Sequence, residues 1–308
     1  MTKTSIFKFL ISLALLLMPC FAASYVSLSP VLTEIIYALE GDKDLLGVSS
    51  VCNYPDDVKN KQIIGDTYFV NMEKLIKLKP EFLFSMNSNK PLLGQLPLIN
   101  VKAEYFEFSS IQNIYDGINR IGKTINKEKK AFELINEIKL KISQNKTKEP
   151  KKILYIVQFN PLITVGKQSY INDVIEQSGH INVASDINFH YPNITLEYAI
   201  KKEPEIIVLC YSDKNDEIKK YFPKAKIIKL TTQEQDLINR PGPRIWQAVK
   251  IFSKMWLYDF HVAKIFILTE FAVFCALIFW FFKVMRLNIS ACFDEFLNNC
   301  LNFFFAKI

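Results

Sequence analysis

The chain has 308 residues, half of them apolar and 25 of them phenylalanine, which is enough material for two cores of ordinary domain size. Its net charge of +7 comes from scattered lysines with no basic run interleaved with aromatics, which argues against a nucleic-acid partner. Three histidines in separate segments (His180, His190, His261), with no Gly-x-Ser-x-Gly, P-loop or His-Glu-x-x-His motif, supply neither a base–nucleophile pair nor a metal-ligand set, so no catalytic residue, metal site or cofactor is expected.

The first element is a leader. Lys3 and Lys8 precede an apolar run over residues 9–18, and Cys20-Phe21-Ala22-Ala23 supplies small residues for cleavage, so residues 1–23 read as a signal peptide and the protein as exported. Cys20 as a lipidated cysteine ranks second, because Met18-Pro19 fits that role poorly. The pattern then predicts a strand from Tyr25 to Leu28, a helix from Thr33 to Leu39 stopped at Gly41, a strand from Leu45 to Ser49, and a lead-in at Gln62 to Gly65.

Residues 71–84 and 195–208 are two copies of one segment. Glu73 matches Glu197, Ile76 matches Ile200, Lys77 matches Lys201, Pro80 matches Pro204 and Glu81 matches Glu205. Each copy predicts a short helix with a capping residue (Asn71, Thr195), a stop before proline, and an apolar strand. A repeat at this distance means two similar halves rather than a solenoid, whose periods are about 20–50 residues.

A strand within 100–107 and an amphipathic helix over 111–125 close the first half. Residues 127–144 predict a charged helix with Phe132, Ile135, Ile138 and Ile142 on one stripe. The second half predicts a strand at 153–158, a helix at 170–177 ended by Gly179, the second repeat copy, a helix around 213–221, a strand at 227–230 and a helix from Ile245 to about Leu257. Alternating strands and helices argue for an α/β fold with parallel sheets. The expected organisation is an N-terminal lobe over 24–125, a single long backbone helix over 126–148 that permits little closure, and a C-terminal lobe over 149–259.

Residues 260–308 form an apolar tail. The stretch 265–282 carries one charge, Glu270, and as a helix would span about 27 Å, so it reads as a transmembrane helix with Lys283 and Arg286 as a basic flank. Cys52 and Cys210, one per half, could pair in an oxidising compartment.

Several short motifs occur in one order: Ser27-Leu28-Ser29-Pro30 with Thr33-Glu34, Gly47-Val48-Ser49-Ser50, Asn53-Tyr54-Pro55, Gly65-Asp66, the 71–80 segment, Gly166-Lys167-Gln168-Ser169, Gly179 with Asn182-Val183, and Pro243-Arg244. Together they resemble periplasmic substrate-binding proteins of ABC importers, of the cobalamin (vitamin B12) type within the cobalamin, haem and iron–siderophore family. The resemblance implies two Rossmann-like lobes bridged by one helix. It also implies a corrinoid ligand in the inter-lobe cleft and docking to the importer's membrane subunits through one glutamate per lobe, the positions of Glu73 and Glu197. Tyr54 and Tyr191 match cleft aromatics.

Tyr68, Phe69, His190 and Arg240 join Tyr54 and Tyr191 as candidate ligand residues. Aromatic faces suit a large flat macrocycle, His190 is a candidate ligand to the metal carried by a bound haem or cobalamin, and Arg240 is a candidate grip on an anionic siderophore. Arg244, at the start of a helix, is expected to contact local backbone. The reading is therefore an exported protein of the periplasm, with 265–282 as a candidate inner-membrane anchor. Haem or a ferric siderophore is the alternative ligand, and a membrane-tethered sensor is the alternative role.

Overall fold

Tyr25–Ser27 (β1) is buried along its whole length and forms the centre of a parallel sheet. The computed structural model of the chain describes residues 23–66, 69–94, 100–211 and 215–255. Residues 1–22, with Cys20, lie outside those residues, as do Tyr68 and the tail carrying 265–282. Among the described residues no helix is long and apolar enough to cross a membrane.

The first sheet also holds Leu45–Ser49 (β2), Gln62–Gly65 (β3), Phe82–Met86 (β4) and Lys102–Phe106 (β5), in the order β3-β2-β1-β4-β5 with every neighbour parallel. Pro30–Ala38 (α1) follows β1, with Pro30 in its first turn, where a fixed φ suits the helix and no N–H is missed. Met72–Leu78 (α2) lies between β3 and β4.

The chain leaves this sheet through two helices, Ile111–Thr124 (α3) and Glu128–Ser143 (α4). They form an antiparallel hairpin: Gly122 lies against Ala131, where a Cβ would meet the alanine's at 2.6 Å, and Lys139 Nζ sits 5.1 Å from the centre of the Tyr115 ring. The connection is thus a helical hairpin rather than the single long helix expected. The buried stripe of α4 is Ala131, Ile135, Ile138 and Ile142. Phe132, expected on that stripe, is 66% exposed: the stripe runs through Ala131, which faces Gly122, and Phe132, one residue (about 100°) further round the helix, lies off it.

The second sheet is built from Lys152–Gln158 (β6), Ile163–Thr164 (β7), Ile181–Asn182 (β8), Ile206–Leu209 (β9) and Lys226–Lys229 (β10), in the order β10-β9-β6-β7 with β8 also on β6. Only β7 runs antiparallel to its neighbour. Its helices are Tyr170–Gln177 (α5), Leu196–Lys201 (α6), Asn215–Tyr221 (α7), Thr232–Asn239 (α8) and Ile245–Ser253 (α9). Gly179 ends the α5 segment at φ +91°, a conformation open to glycine.

The sequence repeat is a structural repeat. Asn71 and Thr195 each accept the backbone N–H three residues on, from Lys74 and Tyr198. Lys79 and Glu203, equivalent positions, both adopt the left-handed conformation (φ 47° and 52°) that ends the helix. The strands that follow, β4 and β9, are both interior strands. Glu81 and Glu205 even repeat their backbone bonds: each donates its N–H to the preceding strand segment (Ser24, Lys152) and accepts from the next (Lys102, Lys226).

Candidate ligand-binding site

In an open parallel sheet the loops after the strands' carboxyl ends form the natural crevice. The loop after β2 carries Asn53 and Tyr54, and the chain after β3 carries Phe69. The chain after β9 carries Cys210 and Tyr211. Phe189, His190 and Tyr191 reach the second sheet's edge because residues 187–193 run alongside 163–168: Thr164 and Gly166 donate their N–H groups to Pro192 and His190 carbonyls. Gly166 permits this approach, since a Cβ there would lie 2.4 Å from the Phe189 carbonyl oxygen.

The remaining contributor is α8, which is not among the elements expected from the sequence pattern. Its signal was present: Thr231 and Glu234 form a reciprocal capping box at its start. The helix delivers Asp236, Asn239 and then Arg240.

Arg240 and Arg244 flank the Pro241-Gly242-Pro243 turn and converge on Glu34 of α1, which is 3% exposed. Arg244 grips the carboxylate bidentately, Nε to Oε2 at 2.8 Å and Nη2 to Oε1 at 2.6 Å. Arg240 Nη1 lies 3.4 Å from Oε1 and donates to Asn53 Oδ1 at 2.6 Å, while its Nη2 lies 3.3 Å from Asp236. The Arg240 guanidinium, a candidate anion grip, is therefore already paired with two carboxylates. Arg244 reaches across to α1 rather than contacting local backbone. Its guanidinium carbon also lies 3.9 Å from the centre of the Tyr54 ring, a cation–π stack that leaves Tyr54 45% exposed.

On the second sheet's side the contacts continue. Asn239 donates to the Tyr211 hydroxyl at 2.8 Å and to Cys210 Sγ at 3.3 Å. Tyr211 has its pKa pushed up to about 12, by burial first and then by Cys210. Tyr191 keeps 44% of its surface exposed, yet burial around its hydroxyl raises its pKa, opposed by a hydrogen bond with Ser169. These phenols are thus neutral hydrogen-bonding groups near neutral pH. Phe69 (62%) and Phe189 (58%) are exposed rings, and His190 is half-buried.

Cys52 and Cys210 are both free and buried. Cys52 lies 3.2 Å from the hydroxyls of Thr33 and Ser49, and Cys210 lies against Asn239, so the disulfide left open by the sequence is not formed. Among the described residues no group of three or more His, Cys, Asp or Glu side chains could hold a metal ion. Glu73 and Glu197 are exposed in the first turns of α2 and α6, with the exposed isoleucines Ile76 and Ile200 one turn further on.

The family model for periplasmic binding proteins matches residues 26–249, which takes in both sheets and the hairpin. The chain belongs to the periplasmic binding protein family. Within it, this binding protein is 24% identical over 247 residues to a vitamin B12-binding protein of Yersinia pestis, covering 77% of this chain and 88% of that one. A solved structure from Staphylococcus epidermidis, described as a possible iron-binding (periplasmic solute-binding) protein, superposes with a TM-score of 0.68 at 31% identity, covering 75% of this chain and 97% of the other. The periplasmic haem-binding protein of Vibrio cholerae gives a TM-score of 0.65 at 19% identity over 76% and 99% of the two chains, a likeness of fold alone.

Proposed function

We propose that this binding protein captures a corrinoid, with cobalamin as the first candidate, among the loops at the carboxyl edges of its two sheets and delivers it to an ABC importer. The observation that carries the reading is that the loops at the two carboxyl edges expose several aromatic rings, three of them held by polar neighbours. Tyr54 lies on Arg244, Tyr191 is sunk at its hydroxyl, Tyr211 is held by Asn239, and the loops that follow the strands also carry the exposed rings of Phe69 and Phe189. Rings held this way offer flat apolar area at little entropic cost. A macrocycle with polar side arms fits them, and the vitamin B12-binding relatives favour the same ligand class.

Delivery rests on Glu73 and Glu197. Their equivalent placement on α2 and α6 would let two related membrane subunits receive the two halves in the same way, by carboxylate–cation pairing. The second reading is haem or a ferric siderophore in the same place. It draws on the 31% identical Staphylococcus epidermidis structure.

A melting-temperature screen separates the two. A ligand that binds the folded state must raise the midpoint, by about 2.7 kcal/mol of stabilisation at a hundredfold excess over Kd. Cyanocobalamin should raise it in the purified protein. A rise with haemin or a ferric siderophore alone would transfer the assignment to the second reading.

A further inference from the structure

Glu34 is the one acidic residue in the apolar helix Pro30–Ala38, and it is buried. It meets both arginines of the 240–244 turn, and Asp236 meets Arg240 again. Two positive groups, Arg244 stacked on Tyr54 and Arg240 next in the chain to Asn239, are thus matched by two negative ones, and this cluster carries no net charge. Yet the arginines stay accessible, at 17% and 20% of their side-chain surface, so a ligand can feel their charge.

We infer that Glu34 is a specificity-determining residue, which cancels the charge of Arg240 and Arg244 so that the site favours a bulky guest of little net charge over an anionic one. This rests on the corrinoid reading. A site selecting a polyanion would leave guanidinium N–H groups unpaired for it, since arginine recognises carboxylates bidentately. Here the bidentate geometry of Arg244 is consumed within the protein. Removing the Glu34 charge would leave the two arginines one charge in excess, and that excess would attract a carboxylate-bearing ligand while leaving a neutral one indifferent. Glu34 acts through the arginines rather than by contact with the ligand, so it is a positioning and charge-setting residue.

The test titrates wild type, Glu34→Gln and Asp236→Asn with cyanocobalamin, neutral overall, and with haemin, which carries two carboxylates. Glu34→Gln keeps an acceptor for Arg244 and should shift the haemin-to-cyanocobalamin affinity ratio by about tenfold toward haemin, a shift that salt suppresses. Asp236→Asn, half exposed at the end of α8, should shift it the same way by a smaller factor, and it decides the matter alone if Glu34→Gln does not fold. Wild type that binds cyanocobalamin, with a ratio unmoved in the folded variants, overturns the charge assignment and leaves the corrinoid reading standing. Wild type that binds neither probe overturns both.

Discussion

Glu34 could be read in the sequence only as an odd charge within an apolar helix, and its partners lie more than 200 positions away. Thr33-Glu34 and Pro243-Arg244 both stand among the ordered motifs, but nothing in either says that one grips the other. Their pairing sets a clear expectation at this scale. Glu34→Ala leaves two partly buried guanidinium groups without their shared carboxylate, which should cost about 3–5 kcal/mol in denaturant unfolding. A loss under 1 kcal/mol would mean the cluster is solvated and contributes little.

His180 makes a second residue-scale prediction. Lys151 N–H donates to its Nδ1 at 3.0 Å, so the neutral ring carries its proton on Nε2, facing the Phe252 carbonyl at 3.0 Å. Burial, opposed by that carbonyl, lowers its pKa below the usual 6.5. The folded state therefore binds this proton less readily than the unfolded chain. The contribution is whole above the unfolded value and is lost as pH falls below about 6.5 toward the depressed folded value. Melting temperature should drop between pH 7 and 5, and His180→Gln should flatten that slope; an equal slope in the variant would place the effect elsewhere.

Among the elements, the long ones were legible because their patterns are local. The expected strand Leu45–Ser49 and helix Tyr170–Gln177 stand unaltered, and others moved by a few residues. The two-residue strands β7 and β8 carry too little pattern to read, and α8 announces itself only by its capping box. The charged pattern over 127–144 predicts a lone bridge, because a hairpin depends on Gly122 meeting Ala131, a contact between helices rather than a period within one. The repeat was the most reliable signal, since two copies must satisfy the same fold. Its prediction concerns α2 and α6: the Glu73→Ala, Glu197→Ala protein should bind its ligand as wild type does yet lose importer-dependent uptake. Unchanged uptake would remove the docking role.

For the whole molecule, tethers among the described residues include two that join elements of the first sheet's side to those of the second: Glu34 to the 240–244 turn, and Asp173 Oδ2 of α5 accepting the Ile111 N–H of α3 at 3.0 Å. With both in place, little hinge closure is expected. Scattering profiles with and without ligand should superimpose, and a ligand-driven contraction would show that the tethers yield. If the rings are arranged before the ligand arrives, the proposed binding role of Tyr54 and Tyr191 can be tested directly. The most direct measurement is calorimetric titration of cyanocobalamin into wild type and into the Tyr54→Ala, Tyr191→Ala protein. The account predicts one saturable site, about micromolar or tighter (near −8 kcal/mol), weakened about tenfold or more in the variant. No binding by wild type, or equal affinity in the two, would contradict it.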